Sequence, residues 1–229
     1  MHAKPTNGAG WPARWAHGRR RRAAFTLIEL LTVLAIIGIL AAILFPTIGA
    51  ARRSAERAKT KVQFAQWAAA IESFRAEYGY YPAFDDSALV NGGAAATAGG
   101  AHLFHDLLAG RHRDGSALTA AEPAAGQNRK RIAFHAFADA DFVPGSAQLR
   151  DASGHTAIAV LVDRNLDGFI RIGGAGADYA GLPAVTTAEG SALTPSAAFP
   201  AAGLRAGVAF YAAAPGASAA SPDFVLSWQ

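Results

Sequence analysis

A short acidic segment in the C-terminal half has the spacing of a calcium-binding loop. Residues 163–168 read Asp-Arg-Asn-Leu-Asp-Gly. The side-chain oxygens stand at alternate positions: Asp163, Asn165 and Asp167. Alternate oxygens on a tight loop point inward together, as a hard calcium ion requires. The twelfth position is Gly174 instead of the usual Glu, so Asp178 or a backbone carbonyl would have to complete the shell. The alternative is a β-hairpin turn, because Asp-Gly between apolar segments is a strong turn signal.

Other candidate ligands are weaker. His102 and His105 are three residues apart and could share a helix face as metal ligands, but no third ligand is near them in the sequence. A pair of surface histidines is therefore the favoured interpretation. Asp139 and Asp141 form an acidic pair that suits a solvated loop. The absence of cysteine excludes disulfides, thiolate catalysis and cysteine-based zinc sites.

The sequence predicts no enzyme. It contains no nucleophile elbow, no phosphate-binding P-loop, no HExxH zinc motif and no dinucleotide-binding fingerprint. A membrane-anchored enzyme or ligand-binding protein is therefore only a remote alternative.

A single acid, Glu29, lies in a long apolar run. Phe25 to Phe45 carries no other charge, and about 20 mostly apolar residues suffice for a helix that spans a bilayer. A carboxylate in hydrocarbon is costly, so such a residue usually has a function. The alternative is that Glu29 lies close enough to the membrane interface to be tolerated there.

The positive charge of the chain is concentrated before this run. Residues 1–24 hold six cations and no acid, and without them the 21 basic residues fall to 15, against 17 acidic ones. Because this basic arm abuts an apolar run, a membrane partner is favoured over nucleic acid. The arginines just before the run should stay in the cytoplasm, which leaves the C-terminal portion outside the membrane.

The elements that follow predict an α+β fold. Helical periodicity continues from Gly49 to Tyr78, and Gly79 and Pro82 are stop signals. Gly38 and Pro46 are candidate bends, although Pro46 could equally mark the end of the membrane span. Trp228 is expected to fill part of the core. Five segments rich in β-branched or aromatic residues are candidate strands of a small antiparallel sheet on this helix: 131–137, 156–162, 168–172, 207–211 and 224–228.

Residues 24–30, Ala-Phe-Thr-Leu-Ile-Glu-Leu, resemble the prepilin peptidase site of type IV pilins and type II secretion pseudopilins. The resemblance implies cleavage between Ala24 and Phe25, N-methylation of Phe25, and pairing of Glu29 with the Phe25 amine of a neighbouring subunit. The family usually has glycine before the cut, where this chain has Ala24. The implied organisation is a cleaved leader (1–24), a transmembrane assembly helix (25–48), a periplasmic helix half (49–82) and a globular region (83–229).

Residues 77–82, Glu-Tyr-Gly-Tyr-Tyr-Pro, are similar to the helix exit of major pseudopilins, which also carry a calcium site. This resemblance implies a single-pass subunit of the bacterial inner membrane, with a cytoplasmic N-terminus and a periplasmic C-terminal region, that polymerises into a filament. Implied partners are further copies, minor pseudopilins, prepilin peptidase and an inner-membrane assembly platform, with no nucleic acid. The alternative is a minor pilin of a type IV pilus, serving adhesion, motility or DNA uptake.

Overall fold

The computed structural model describes residues 25–85, 87–92 and 102–229. The basic leader, with Ala24, and nearly all of the Gly/Ala-rich segment around residues 93–101 lie outside the described residues. The contacts within the chain divide it into two compact units, Met1–Thr47 and Ile48–Gln229. We call the described part of the first unit, residues 25–47, the anchor, and the second unit the head.

The first element, helix α1, spans Leu27–Tyr78 and continues through Gly38 and Pro46. It is the one helix in the described residues that is long and apolar enough to cross a membrane. In the anchor its large apolar side chains are exposed, with Leu34 at 60% and Phe45 at 74%. Side chains this apolar need lipid or other helices around them.

In the head, α1 buries one face. The helical periodicity predicted from Gly49 to Tyr78 is confirmed, because a stripe of four large apolar side chains is fully buried: Phe64, Trp67, Ile71 and Phe74. These positions recur at three- and four-residue steps and so lie on one side of a helix. The helix ends at Tyr78, and Gly79 follows with a left-handed backbone (φ 82°) and its N–H on the Arg75 carbonyl oxygen at 2.7 Å.

The remaining elements of the head are short. Two helices follow α1, namely α2 (Leu103–Ala109) and α3 (Pro123–Gln127), and then a 3₁₀ turn at Asp139–Asp141. The strands are β1 (Ile158–Val162), β2 (Val185–Thr186), β3 (Ala192–Leu193), β4 (Val208–Ala213) and β5 (Phe224–Leu226). Antiparallel pairing gives one sheet in the order β1-β4-β5 and a separate β2-β3 pair.

The α+β prediction is confirmed, because the three-stranded sheet packs on α1. The ring of Phe210, on β4, lies 5.5 Å from that of Phe64 and 5.8 Å from that of Trp67. Every residue of β1 is buried, which explains why its sequence is a continuous apolar run without polar alternation. Trp228 follows β5 and is only partly buried, with its ring 6.1 Å from that of Tyr211.

Two of the five predicted strands are wrong. Residues 131–137 form no strand, since Arg131 is left-handed (φ 55°) and the N–H groups of Phe134 and His135 both donate to the Leu108 carbonyl oxygen. Residues 168–172 form only isolated bridges, such as the one between Ile170 and Leu204. The backbone bonds of residues 131–137 go to the end of α2 and those of residues 168–172 go to an irregular segment, which apolar content alone does not reveal.

Candidate functional sites

Glu29 belongs to a reciprocal cap at the start of α1. Its Oε2 accepts hydrogen bonds from the Thr26 backbone N–H at 2.9 Å and from the Thr26 hydroxyl at 2.8 Å, and Thr26 Oγ1 accepts from the Glu29 N–H at 3.2 Å. This is a capping box, which satisfies two backbone donors that a helix N-terminus leaves unpaired. The Thr-x-x-Glu spacing is a sequence signal for such a box, and the sequence interpretation of Glu29 missed it.

The cap uses only one carboxylate oxygen. Both bonds from Thr26 end on Oε2, and Oε1 has no hydrogen bond within the part of the chain that the structure describes. Phe25 precedes the cap and is 80% exposed. The anchor therefore presents an apolar surface with a preoriented carboxylate at the start of its helix, and one oxygen of that carboxylate can accept from another molecule.

The loop at 163–168 is closed by one buried carboxylate. The Oδ1 of Asp163 accepts from the Asp167 N–H at 3.2 Å, and its Oδ2 accepts from the Gly168 N–H at 2.7 Å. The backbones of Leu166 (φ 62°) and Gly168 (φ 87°) are left-handed, which lets the chain turn this tightly. Asn165 contributes a third bond, from the Asp167 N–H to its Oδ1 at 3.0 Å.

Asp178 joins the same loop from outside. Its Oδ1 accepts from the Arg164 N–H and its Oδ2 from the Arg171 N–H, both at 2.8 Å. The structure thus brings together all four residues that the sequence proposed for calcium: Asp163, Asn165, Asp167 and Asp178. The first and the last are buried (2% and 7% exposed), and neither forms an ion pair among the described residues. Backbone N–H groups satisfy all four carboxylate oxygens, and a cation here would add the missing counter-charge.

The donor set suits a hard cation, but the arrangement is incomplete. Asp167 is turned outward and pairs with Arg171, so it would have to rotate to act as a ligand. Within the described ranges, no cluster of three or more His, Asp or Glu side chains is positioned around a common point for a metal ion. The hairpin alternative is wrong, because β1 pairs with β4, and with Leu89 on its other edge, instead of with residues 168–172.

The histidines predicted at the surface are buried. His102 is 2% exposed and caps the N-terminus of α2, with its Nδ1 accepting from the His105 N–H at 3.1 Å. Its Nε2 lies 2.8 Å from the Asn91 Oδ1. Since Nδ1 must accept, Nε2 carries the proton and the ring is neutral. Burial lowers the pKa of His102 to about 4, and the neighbouring His105 adds to the effect.

The carboxylate of Asp106 connects two further histidines, His105 and His112. The Asp106 oxygens lie 2.8 Å from His105 Nδ1 and 2.9 Å from His112 Nδ1, and His112 Nε2 lies 3.2 Å from Glu122. Burial opposes charge on His112, but the hydrogen bond and charge of Asp106, together with Glu122, raise its pKa. The cluster ties α2 to the segment before α3. The sequence interpretation missed it because these contacts follow no regular spacing along the chain.

Comparison with known proteins informs the N-terminal segment. Residues 19–45 match the family model described as the prokaryotic N-terminal methylation motif. No curated protein and no solved structure matches the chain. The motif and the apolar helix together support membrane anchoring of the N-terminus, and the motif indicates a structural subunit rather than an enzyme.

Proposed function

We propose that this chain is a pseudopilin-like subunit of a type II secretion system; the N-terminal methylation motif supports a type IV pilin-like protein. In this proposal the subunits polymerise into a periplasmic filament that serves protein export. The observation that carries it is the anchor, an apolar helix whose large side chains are exposed and whose single acid has one oxygen without a hydrogen bond to any described residue.

Assembly would give both features a partner. Parallel anchors can bury their apolar side chains against one another. After cleavage before Phe25, the new α-amine is positive near neutral pH, and Glu29 Oε1 of a neighbouring subunit can accept a hydrogen bond from it while Oε2 keeps its bonds to Thr26. Two charges that are each costly in an apolar core then offset one another, and the pair sets the register between subunits.

Processing is part of the proposal. Prepilin peptidase would cut between Ala24 and Phe25 and methylate the Phe25 amine, which remains a cation after methylation. Mass spectrometry of the protein purified from its native membrane should then find N-methyl-Phe25 as the first residue. An intact Met1 in the membrane-bound protein would contradict both the processing and the assembly mechanism that depends on it.

The residues at the end of α1 favour a type II secretion subunit over the alternative, a type IV pilus subunit. Tyr81 packs back on the helix, with its hydroxyl donating to Glu72 Oε1 at 2.8 Å and its ring 4.9 Å from the Arg75 guanidinium carbon. This ordered Gly-Tyr-Tyr-Pro exit is the feature that resembles major pseudopilins, and the chain has no cysteine for the disulfide-closed loop of many pilus subunits. The further partners would be minor pseudopilins and an inner-membrane assembly platform.

A gene deletion in the native organism distinguishes a type II secretion subunit from a type IV pilus subunit. Deletion of the gene should abolish export of secreted enzymes while leaving surface pili, twitching and DNA uptake intact, and expression of the wild-type gene should restore export. If surface pili disappear and export continues, the chain is a pilus subunit and the secretion assignment is wrong.

We also propose that the head binds one calcium ion at the loop of residues 163–168. Among the described residues Asp163 and Asp178 form no ion pair, and Asn165 and Asp167 would supply further oxygen ligands. Calcium should raise the melting temperature of the head, and Asp167→Ala should abolish the rise while leaving the calcium-free melting temperature almost unchanged. If calcium has no effect on the wild-type protein, the loop is held by its backbone hydrogen bonds alone.

A further inference from the structure

A turn of the head presents three consecutive cations to solvent. Residues 129–131 read Arg-Lys-Arg, and all three side chains are exposed. The turn follows α3, and its last residue, Arg131, has a left-handed backbone (φ 55°). Residues other than glycine hold this conformation only where the surrounding structure enforces it.

Asn128 enforces the turn from below. It is fully buried, and its Nδ2 donates to the carbonyl oxygens of Leu107 at 2.8 Å and Ile132 at 2.7 Å. Its Oδ1 accepts from the Tyr78 hydroxyl at 2.8 Å and the Ile132 N–H at 3.0 Å. Both amide hydrogens and both lone pairs are therefore used. The turn is ordered before any partner binds, which lowers the entropy lost on binding.

A fourth cation lies beside this turn. A Cβ built on Gly110 would be 2.6 Å from the Arg131 carbonyl oxygen, so the segment that carries Arg111 passes directly against it. Of the four cations only Lys130 has a carboxylate partner, Glu77. Across the described ranges Arg111, Arg129 and Arg131 form no ion pair. Neighbouring like charges repel one another, and an anionic partner would relieve this repulsion.

An aromatic ring adjoins the cations. Tyr80 is 41% exposed, and its ring is held at 5.7 Å from that of Phe74 and 6.2 Å from that of Tyr78. Its hydroxyl donates to the carbonyl oxygen of Gln127 at 3.3 Å, next to the start of the basic turn. The ring therefore offers a fixed, partly exposed face close to the positive side chains.

We propose that this surface, formed by Tyr80, Arg111 and residues 129–131, binds single-stranded nucleic acid. The cations would contact successive phosphates, and the Tyr80 ring would stack on a base. This activity goes beyond filament assembly and does not depend on it. The expectation of no nucleic-acid partner rests on the leader cations, which abut the apolar run and are separate in sequence from this turn.

Other anionic partners fit the surface less well. Basic surfaces that bind bilayers usually insert apolar side chains, and protein interfaces have an apolar centre. Among the described residues of the head, the exposed large apolar side chains are Ile48, Val62, Tyr80 and Leu166, and only Tyr80 belongs to this surface. Nucleic acid needs no apolar centre, because phosphate contacts and stacking provide the affinity.

Fluorescence anisotropy with a labelled single-stranded DNA oligonucleotide tests the proposal on the full-length protein in non-ionic detergent. Replacing Arg111, Arg129 and Arg131 together by Gln should lower the affinity about tenfold or more, and should reduce the slope of log affinity against log salt by about 2. The control removes three exposed cations elsewhere: Arg52, Lys59 and Arg205. It should bind within about twofold of wild type, because it lowers the net charge by the same amount but leaves the proposed surface intact.

Tyr80 provides an independent test of stacking. Tyr80→Ala should lower the affinity about tenfold without changing the salt slope, while Tyr80→Phe keeps the ring and should bind like wild type. Equal losses in the two triple variants would overturn the proposal, as would wild-type binding by Tyr80→Ala. If anionic phospholipid vesicles, and not DNA, lose binding in the Arg111, Arg129 and Arg131 variant, the partner is a membrane. Peptidase processing and filament formation should persist in that variant, so this proposal can fail while the assembly proposal stands.

Discussion

The anchor and the head use their apolar residues in opposite ways. In the anchor the large apolar side chains are exposed, whereas in the head a stripe of the same helix α1 is fully buried against the sheet. The head therefore carries its stabilising contacts within one chain, and the anchor must find them in lipid or in other subunits. The difference indicates that fold stability and assembly can be changed separately by substitutions in one helix.

Deleting a ring from the head core is the strongest test of this separation. Phe210→Ala removes a fully buried ring that contacts Phe64 and Trp67, and it should cost about 3–5 kcal/mol of unfolding free energy. Leu34→Ala, in the anchor, should leave the melting transition of the head unchanged. Circular dichroism of both proteins in detergent measures the effect. A comparable loss in the two variants would contradict the separation.

Acid should weaken the head through His102. Its pKa is lowered to about 4 in the folded head because the ring is buried, so the unfolded chain binds the extra proton first. The stabilisation is complete above the unfolded pKa of about 6.5 and is lost as the pH falls from there towards about 4. Asp106 and His105 face the same ring. The pKa of His112 is raised, so its protonated form stabilises the head, and this stabilisation is lost as the pH rises.

A substitution isolates this effect. His102→Asn keeps a side chain that can cap α2 but removes the titrating group. Its unfolding free energy at pH 7 should fall by about 1–3 kcal/mol, because the buried bond to Asn91 is lost, but it should decline less between pH 6.5 and 4 in urea titrations at each pH. The same decline in both proteins would mean that other groups control the acid sensitivity of the head.

The smallest effect should come from the helix cap in the anchor. Thr26→Val removes both side-chain bonds of the capping box but leaves the Glu29 charge, and it should cost about 1 kcal/mol of helix stability. We expect fraying near Leu27, measured by hydrogen exchange in detergent, with no change in the head. Protection that stays as in wild type would show that the cap does not hold the start of α1.

Much of the fold was predictable because helical periodicity and β-branched segments can be recognised in the sequence without knowledge of tertiary contacts. The stripe from Phe64 to Phe74 and the apolar run to Phe45 gave α1, and β-branched segments gave β1, β4 and β5. The errors lie where the backbone groups form hydrogen bonds outside a sheet, to side chains or to other elements. Asn128 fixes the turn that precedes residues 131–137. The Leu108 carbonyl oxygen accepts from the N–H groups of Phe134 and His135 in that segment. Such contacts join residues far apart in sequence and leave no periodic signal.

The sites show the same limit. The calcium spacing at residues 163–168 was visible in the sequence, and so was the Thr-x-x-Glu cap at Glu29, although its meaning was missed. The burial of His102 was not visible, because its partner Asn91 is distant in the chain and the ring becomes a helix cap only in the fold. Local motifs could be predicted, whereas the networks that bury polar groups needed the tertiary structure.

In the proposed assembly Glu29 acts as a charge and not only as a cap, and Glu29→Gln separates the two roles. The amide oxygen can still accept from Thr26, so the helix start is kept, but the negative charge is lost. The direct measurement is the amount of filament, counted by electron microscopy and by sedimentation of sheared material, in cells that express equal levels of each protein. We predict a processed, membrane-inserted Glu29→Gln subunit that forms almost no filament. Filaments at the wild-type amount would contradict the account.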